Sequence, residues 1–397
     1  MDDLSLPITP DFDTWPVVAQ IAATQVLAEG DVALTWSDGV RMTYHRLLLA
    51  ENGTDPATLH PLSRETLKTP LDFPEDLRAT AADVLANGAL VVTWSDEVAR
   101  GAYHPGWLRA HGWGGAGAEG RCLAARLWRA EDLQVPGTVH GPHALQDDRL
   151  FRRFLCHLRD DGVARLDGLP QQDGLLEEIA ERIGTIRETN FGRTYTLAIQ
   201  DDPTSNAYTP VALPQHMDLC TRECPPGLQF LHCRANDTTG GDGLYCDGYR
   251  IAYDIRDEEP ATWAAMVEIP WTYNNRAKGT AYRAAGPMVD LDEQGQITAL
   301  RYETWLRAPL VADLNTQDRA YRAYRRFAAR AQSDRYLMRV RYRPGDLFAF
   351  DNRRVLHGRS AYDAAGGARF IEGVYADRDD LYSAIRVLER SGGRGQS

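Results

Sequence analysis

The chain has 397 residues, of which 43% are hydrophobic and 25% charged, so a chain dominated by disorder is excluded. At about 150 residues per domain, the length suits two or three domains. Acidic residues outnumber basic ones 56 to 44, a net charge of −12 that repels a phosphate backbone, so no nucleic-acid partner is expected. No apolar run of about 18 residues occurs, so no membrane partner or span is expected. The start, Met1-Asp2-Asp3-Leu4, is acidic and unlike a signal peptide, which makes the cytoplasm the expected compartment. The six cysteines are scattered without a CxxC pair, so neither a disulfide framework nor a zinc knuckle is expected.

Two early segments resemble each other: Val32 to Leu49 (VALTWSDGVRMTYHRLLL) and Val91 to Leu108 (VVTWSDEVARGAYHPGWL). Each runs from an apolar strand through Trp-Ser-Asp to Tyr-His and an apolar segment. Gly39 suits a hairpin turn that needs positive φ. The repeat predicts a small two-part β-rich domain over residues 1–112, with Trp36, Trp94 and Trp107 as core candidates. Gly-rich residues 112–120 open a linker that extends over 113–142.

Residues 143–397 read as one larger domain. Asp147 or Asp148 caps a helix whose Leu150, Phe151, Phe154, Leu155 and Leu158 share a face. A strand over Val163 to Leu166 and a helix over Leu175 to Ile183 follow. Short strands are expected at Gly227 to Cys233, Gly243 to Cys246 and Met266 to Ile269. A helix over Thr316 to Gln332 aligns Tyr321, Tyr324 and Phe327. Alternation over Tyr336 to Tyr342 marks a further strand. Helices, then strands, then an inserted helix describe a mainly β sandwich or barrel with peripheral helices.

His216-Met217-Asp218 places two metal-ligand types at i and i+2, which share a face in a strand. His357, in a second apolar strand, completes a 2-His-1-carboxylate set. That set leaves open positions on an octahedral ion and suits non-haem Fe(II) better than four-coordinate zinc. Twelve residues further on, Arg369 offers a guanidinium for a substrate or cosubstrate carboxylate, although an ordinary ion pair would equally account for it alone.

Four segments carry a resemblance. They are His216 to Cys233 (HMDLCTRECPPGLQFLHC), Phe350 to Tyr362 (FDNRRVLHGRSAY), Glu372 to Asp377 (EGVYAD), and Thr239 to Asp242 with Asp247-Gly248. They resemble the γ-butyrobetaine hydroxylase and trimethyllysine dioxygenase family, over nearly the whole chain. The resemblance implies a double-stranded β-helix (jelly-roll) catalytic domain beside the small N-terminal domain. It implies Fe(II) held by His216, Asp218 and His357, with 2-oxoglutarate and O2 as cosubstrates and ascorbate as a stimulant. Arg369 takes the far carboxylate of 2-oxoglutarate, and a homodimer is implied. Asp218 disfavours a halogenase, which needs that position empty. Two departures stand out. The Cys-rich stretch that holds structural zinc in the family is Ala50 to Pro56 here, so no structural zinc is expected. Gly243 replaces a usual Ser or Thr.

By the same resemblance, Phe191, Tyr195, Tyr208 and Tyr375 match an aromatic cage for a trimethylammonium group, which is held by cation–π attraction. At the other end, Leu219 replaces a Tyr, and Leu300 to Thr304 lacks paired Asn residues. Arg301 and Arg193, with Asn206, are the polar candidates there. Extra cations suit a phosphonate, so 2-(trimethylamino)ethylphosphonate is the expected substrate and γ-butyrobetaine the runner-up. A catalytically dead quaternary-ammonium-binding module and a zinc hydrolase using the same three ligands stay open.

Overall fold

The structure, a computed structural model, describes residues 5–96, 101–114, 125–199, 206–277 and 279–393. The chain divides into two compact units, Met1–Leu123 and Ala124–Ser397.

In the first unit, the sequence repeat is a structural repeat. Strands β1 (Ile21–Val26), β2 (Val32–Trp36) and β3 (Arg41–Tyr44) form an antiparallel sheet followed by helix α1 (Arg46–Glu51). Strands β4 (Ala79–Val84), β5 (Leu90–Trp94) and β6 (Ala102–Tyr103), followed by α2 (Pro105–His111), repeat that order. Ile21 pairs with Trp36 and Ala79 with Trp94, each beside a register shift. His45 and His104 cap α1 and α2 with their ring nitrogens. The Tyr44 hydroxyl donates to the Leu108 carbonyl at 2.7 Å, and the Tyr103 hydroxyl to that of Leu49 at 2.6 Å. Each half is thus tied to the helix of the other, around a core that holds Trp36, Trp94 and Trp107.

The second unit opens with β7 (Gly137–His140), α3 (Gly141–Gln146), α4 (Asp148–Asp161) and β8 (Val163–Asp167). Asp147 caps α4, whose Phe151, Phe154, Leu155 and Leu158 are buried. Helix α5 (Leu175–Glu181) and strands β9 (Tyr195–Leu197), β10 (Leu213–His216), β11 (Leu228–Asn236) and β12 (Gly243–Asp247) follow. Next come α6 (Gly248–Glu258), α7 (Pro260–Glu268), two hairpins, β13 (Trp271–Asn274) with β14 (Arg283–Gly286) and β15 (Val289–Leu291) with β16 (Ile297–Leu300), and α8 (Leu314–Ala331). The unit closes with β17 (Met338–Val340), β18 (Leu347–Asp351), β19 (Val355–Arg359), β20 (Arg369–Ala376) and α9 (Arg378–Gly393).

Its strands form two main sheets, ordered β7-β8-β18-β11-β20-β9 and β10-β19-β12-β17. From β9 onward the chain passes repeatedly from one sheet to the other, which is the winding of a double-stranded β-helix. Leu231, Phe348 and Phe350 from one sheet meet Tyr245, Met338 and Val355 from the other in a shared core. Helices α3, α4, α5 and α9 cover the outer face of the larger sheet, while α6, α7 and α8 pack with the hairpins over the smaller one. Among the described residues no helix is long and apolar enough to cross a membrane.

Three expectations are corrected. Met266 to Ile269 is not a strand but the end of α7: Pro260 starts that helix at its first turn, Met266 is buried on it, and the strand comes later, at Trp271. Residues 125–142 are not a linker. Trp128 is 2% exposed, its indole N–H donates to the Asp161 carbonyl at 2.8 Å, and β7 pairs in parallel with β8. The strand over Tyr336 to Tyr342 narrows to Met338–Val340, although the predicted alternating face is buried. Residues 115–120 of the Gly-rich stretch, Cys122, and Glu97-Val98 of the second repeat lie outside the described residues; the other five cysteines are free.

Candidate active site

His216 ends β10 and stands directly across from His357 on β19. Asp218 lies beyond the strand, so its approach to His216 does not come from the i, i+2 alternation expected of a strand. The chain turns there instead, with Leu219 at φ +59°, a left-handed conformation unusual for a residue with a side chain. Asn352 holds that turn: its side-chain oxygen accepts the Asp218 N–H at 2.8 Å, and its amide donates to the carbonyls of Asp218 and Pro226 at 3.1 and 3.0 Å. Asp218 Oδ1 then lies 3.3 Å from His216 Nε2 and 3.7 Å from His357 Nε2.

One ligand atom from each of the three residues falls within 4.8 Å of the others, the only such potential metal cluster among the described residues. The Nδ1 of His216 is 2.9 Å from the Pro214 carbonyl, which places its proton there and frees Nε2 for a metal. Burial, then the His216 ring beside it, pushes His357 down to about 3, so the neutral ring keeps one nitrogen lone pair for a metal. Burial would raise Asp218, but the two imidazoles and the Tyr375 hydroxyl outweigh it and keep the carboxylate ionised. The donor set therefore fits Fe(II).

Arg369 begins β20 and lines the same cavity. Its Nε and Nη1 are buried without a partner, and its guanidinium lies 5.0 Å from the centre of the Tyr362 ring. An unpaired buried guanidinium is costly, and burial lowers its pKa. A carboxylate such as that of 2-oxoglutarate fits this place. Gly243 has a steric reason: a Cβ there would come 2.6 Å from the Tyr342 ring, whose hydroxyl bonds that of Tyr245.

Phe191, Tyr195, Tyr208 and Tyr375 all line the cavity. The Tyr195 and Tyr375 rings stack at 5.1 Å, with Phe191 6.3 Å from Tyr195 on the more exposed rim. Tyr375 shares the inward face of β20 with Arg369 and Ile371, and its hydroxyl donates to Asp218 Oδ2 at 2.7 Å. The aromatic wall is thereby tied to an expected iron ligand.

The polar expectations at the other end fail. Arg301 is 7% exposed, but its guanidinium donates to the carbonyls of Cys220 at 2.6 Å, Arg222 at 2.9 Å and Glu223 at 3.1 Å, and it does not line the cavity. It fastens the stretch after the metal motif. Arg193 pairs with Glu181 at the surface, and Asn206 is exposed outside the cavity lining. Among the lining residues that the sequence analysis did not single out are Gln229, Glu303, Trp305 and Arg359. Arg359 had a signal, since it stands two residues after His357 on one strand. Its guanidinium secures the loop that carries Tyr208, through the carbonyls of Ala207, Thr209 and Val211.

Residues 124–375 match the taurine catabolism dioxygenase TauD, TfdA family. The chain is 40% identical to the γ-butyrobetaine dioxygenase of Pseudomonas sp. (strain AK-1) over 383 residues, 96% of this chain and 99% of that protein. It is 28% identical to the mitochondrial trimethyllysine dioxygenase of Mus musculus, over 75% of this chain and 72% of that one. Among solved structures, an asparagine oxygenase bound to Fe(II), 2S,3S-3-hydroxyasparagine and succinate matches at a TM-score of 0.47 and 18% identity, over 59% of this chain and 82% of that one. The chain belongs to the TauD, TfdA dioxygenase family, in the company of the γ-butyrobetaine and trimethyllysine dioxygenases.

Proposed function

We propose that this 2-oxoglutarate-dependent iron dioxygenase hydroxylates a small trimethylammonium compound held against Tyr195, Tyr208, Tyr375 and Phe191. The observation that carries this is the bond from Tyr375 to Asp218, which sets a stacked aromatic wall beside the metal ligands. A trimethylammonium group has no N–H to donate, so aromatic faces hold it, at about 0.5–2 kcal/mol per good contact. Fe(II) with 2-oxoglutarate and O2 supplies the oxidising chemistry, in which one oxygen atom ends in succinate, the other in the product hydroxyl, and CO2 leaves. His216, Asp218 and His357 hold the metal, and Arg369 anchors and orients the cosubstrate. Leu213, Leu219, Leu231 and Ile371 keep that part of the cavity apolar.

The phosphonate expectation loses its support, because both guanidinium groups invoked for it are committed elsewhere. γ-Butyrobetaine retains the support of the Pseudomonas relative's name. The test is succinate release by protein supplied with Fe(II), ascorbate and 2-oxoglutarate, plus 2-(trimethylamino)ethylphosphonate, γ-butyrobetaine or trimethyllysine. Succinate above the substrate-free rate with a trimethylammonium compound is the expected result. An unchanged rate across a wide panel of such compounds overturns the substrate class.

A further inference from the structure

The cavity wall on the His216 side carries a carboxylate for which the reaction has no use. Glu303 follows β16, is 2% exposed, and lines the same cavity as the metal ligands. Its Oε1 accepts the Trp305 N–H at 3.1 Å, and the Trp305 indole lies over the His216 ring at 4.6 Å. The aromatic cage leans on the other ligand, Asp218, through Tyr375. A ligand that reaches from the cage past the metal toward the His216–Trp305 wall therefore meets Glu303.

Among the described residues no side-chain cation is free to meet a ligand there. Among the described residues no ion pair to Glu303 is found. The two guanidinium groups lining the cavity are engaged: Arg359 by three carbonyls, and Arg369 at the cosubstrate's carboxylate place beside Tyr362. Burial pushes the Glu303 carboxyl up to about 7, against the pull of His216; once ionised it would face an anionic group with a charge of its own sign, while its oxygens can accept from a donor.

We propose that Glu303 determines substrate specificity: the second polar group of the trimethylammonium substrate is a hydrogen-bond donor, such as an ammonium, amide or hydroxyl, and compounds ending in an anion are discriminated against. The inference rests on the trimethylammonium reading and narrows it away from γ-butyrobetaine, whose tail is a carboxylate and whose only support is the relative's name. It also explains why the guanidinium groups expected to meet an anionic tail are turned elsewhere.

The test uses two trimethylammonium compounds of equal chain length, one ending in a carboxylate and one in a primary amine. Both measurements are made at about pH 8, above the raised pKa of Glu303: affinity by calorimetry on the metal-free protein, and kcat/KM by succinate release from the loaded enzyme. The wild-type protein is expected to favour the amine-ended compound by about tenfold or more in both measurements. The isosteric Glu303→Gln removes the charge and is expected to bring the ratio to within about threefold of unity. A wild-type preference for the carboxylate overturns the proposal while leaving the hydroxylase reading intact. So does an unchanged ratio in a folded Glu303→Gln, which would reduce Glu303 to an acceptor for the Trp305 turn. If Glu303→Gln does not fold, the wild-type ratio decides alone. If neither compound binds or releases succinate, the trimethylammonium reading fails and the Glu303 proposal falls with it.

Discussion

Gly373 lies directly across from Tyr195 on the neighbouring strand, and a Cβ there would clash with the Tyr195 ring at 2.3 Å. The proposed cage thus depends on a residue that does not line the cavity. Gly373→Ala is expected to displace Tyr195 and raise the KM for the trimethylammonium substrate about 2- to 30-fold, the range of one cation–π contact. The KM for 2-oxoglutarate stays unchanged in the same assays. Asn352 acts similarly on the metal. Asn352→Ala releases the Asp218 turn and should weaken Fe(II) binding about 10- to 100-fold, read by anaerobic titration of the iron–2-oxoglutarate absorbance. Wild-type affinity in that variant would mean that the Leu219 turn holds itself.

Between elements, Arg354 and Asp247 form a fully buried ion pair. Arg354 Nη2 lies 2.8 Å from Asp247 Oδ2, with the two side chains 2% and 0% exposed. Asp247 also caps α6 and accepts the Trp128 N–H at 3.2 Å, so one carboxylate joins β12, α6 and the segment that leads into the second unit. Arg354→Met leaves that carboxylate buried and uncompensated, at about 3–5 kcal/mol of stability by urea unfolding. In the first unit, the exchanged hydrogen bonds of Tyr44 and Tyr103 are equivalent by the repeat. Tyr44→Phe and Tyr103→Phe should each cost about 1 kcal/mol, so one melting markedly lower than the other would show that the two halves are not energetic equals.

At the scale of the whole molecule, what could be read from the sequence depended on where the signal lay. Apolar periodicity marked α4, α8 and β17, because burial leaves its imprint on side-chain identity. The expected metal ligands and the proposed cage residues were legible through motifs shared with a family, and the geometry brings each of them to one cavity. What stayed illegible was the role of polar side chains whose partners are backbone carbonyls. Arg301 and Arg359 are both arginines near the site. Only the fold reveals that one clamps residues 220–223 and the other the loop before β10. The helical end of α7 was missed because the four residues Met266-Val267-Glu268-Ile269 are too few to carry a period that separates strand from helix.

A permanent cation gripped beside the expected iron ligands makes charge the property to vary. The decisive measurement compares kcat/KM for a turned-over trimethylammonium substrate with that for its tert-butyl isostere, which has the same shape and no charge. A fall of about tenfold or more for the isostere is predicted, from several aromatic contacts of about 0.5–2 kcal/mol each. Equal kcat/KM values for the two compounds would contradict the account, since Tyr195, Tyr208 and Tyr375 would then be no more than an apolar wall.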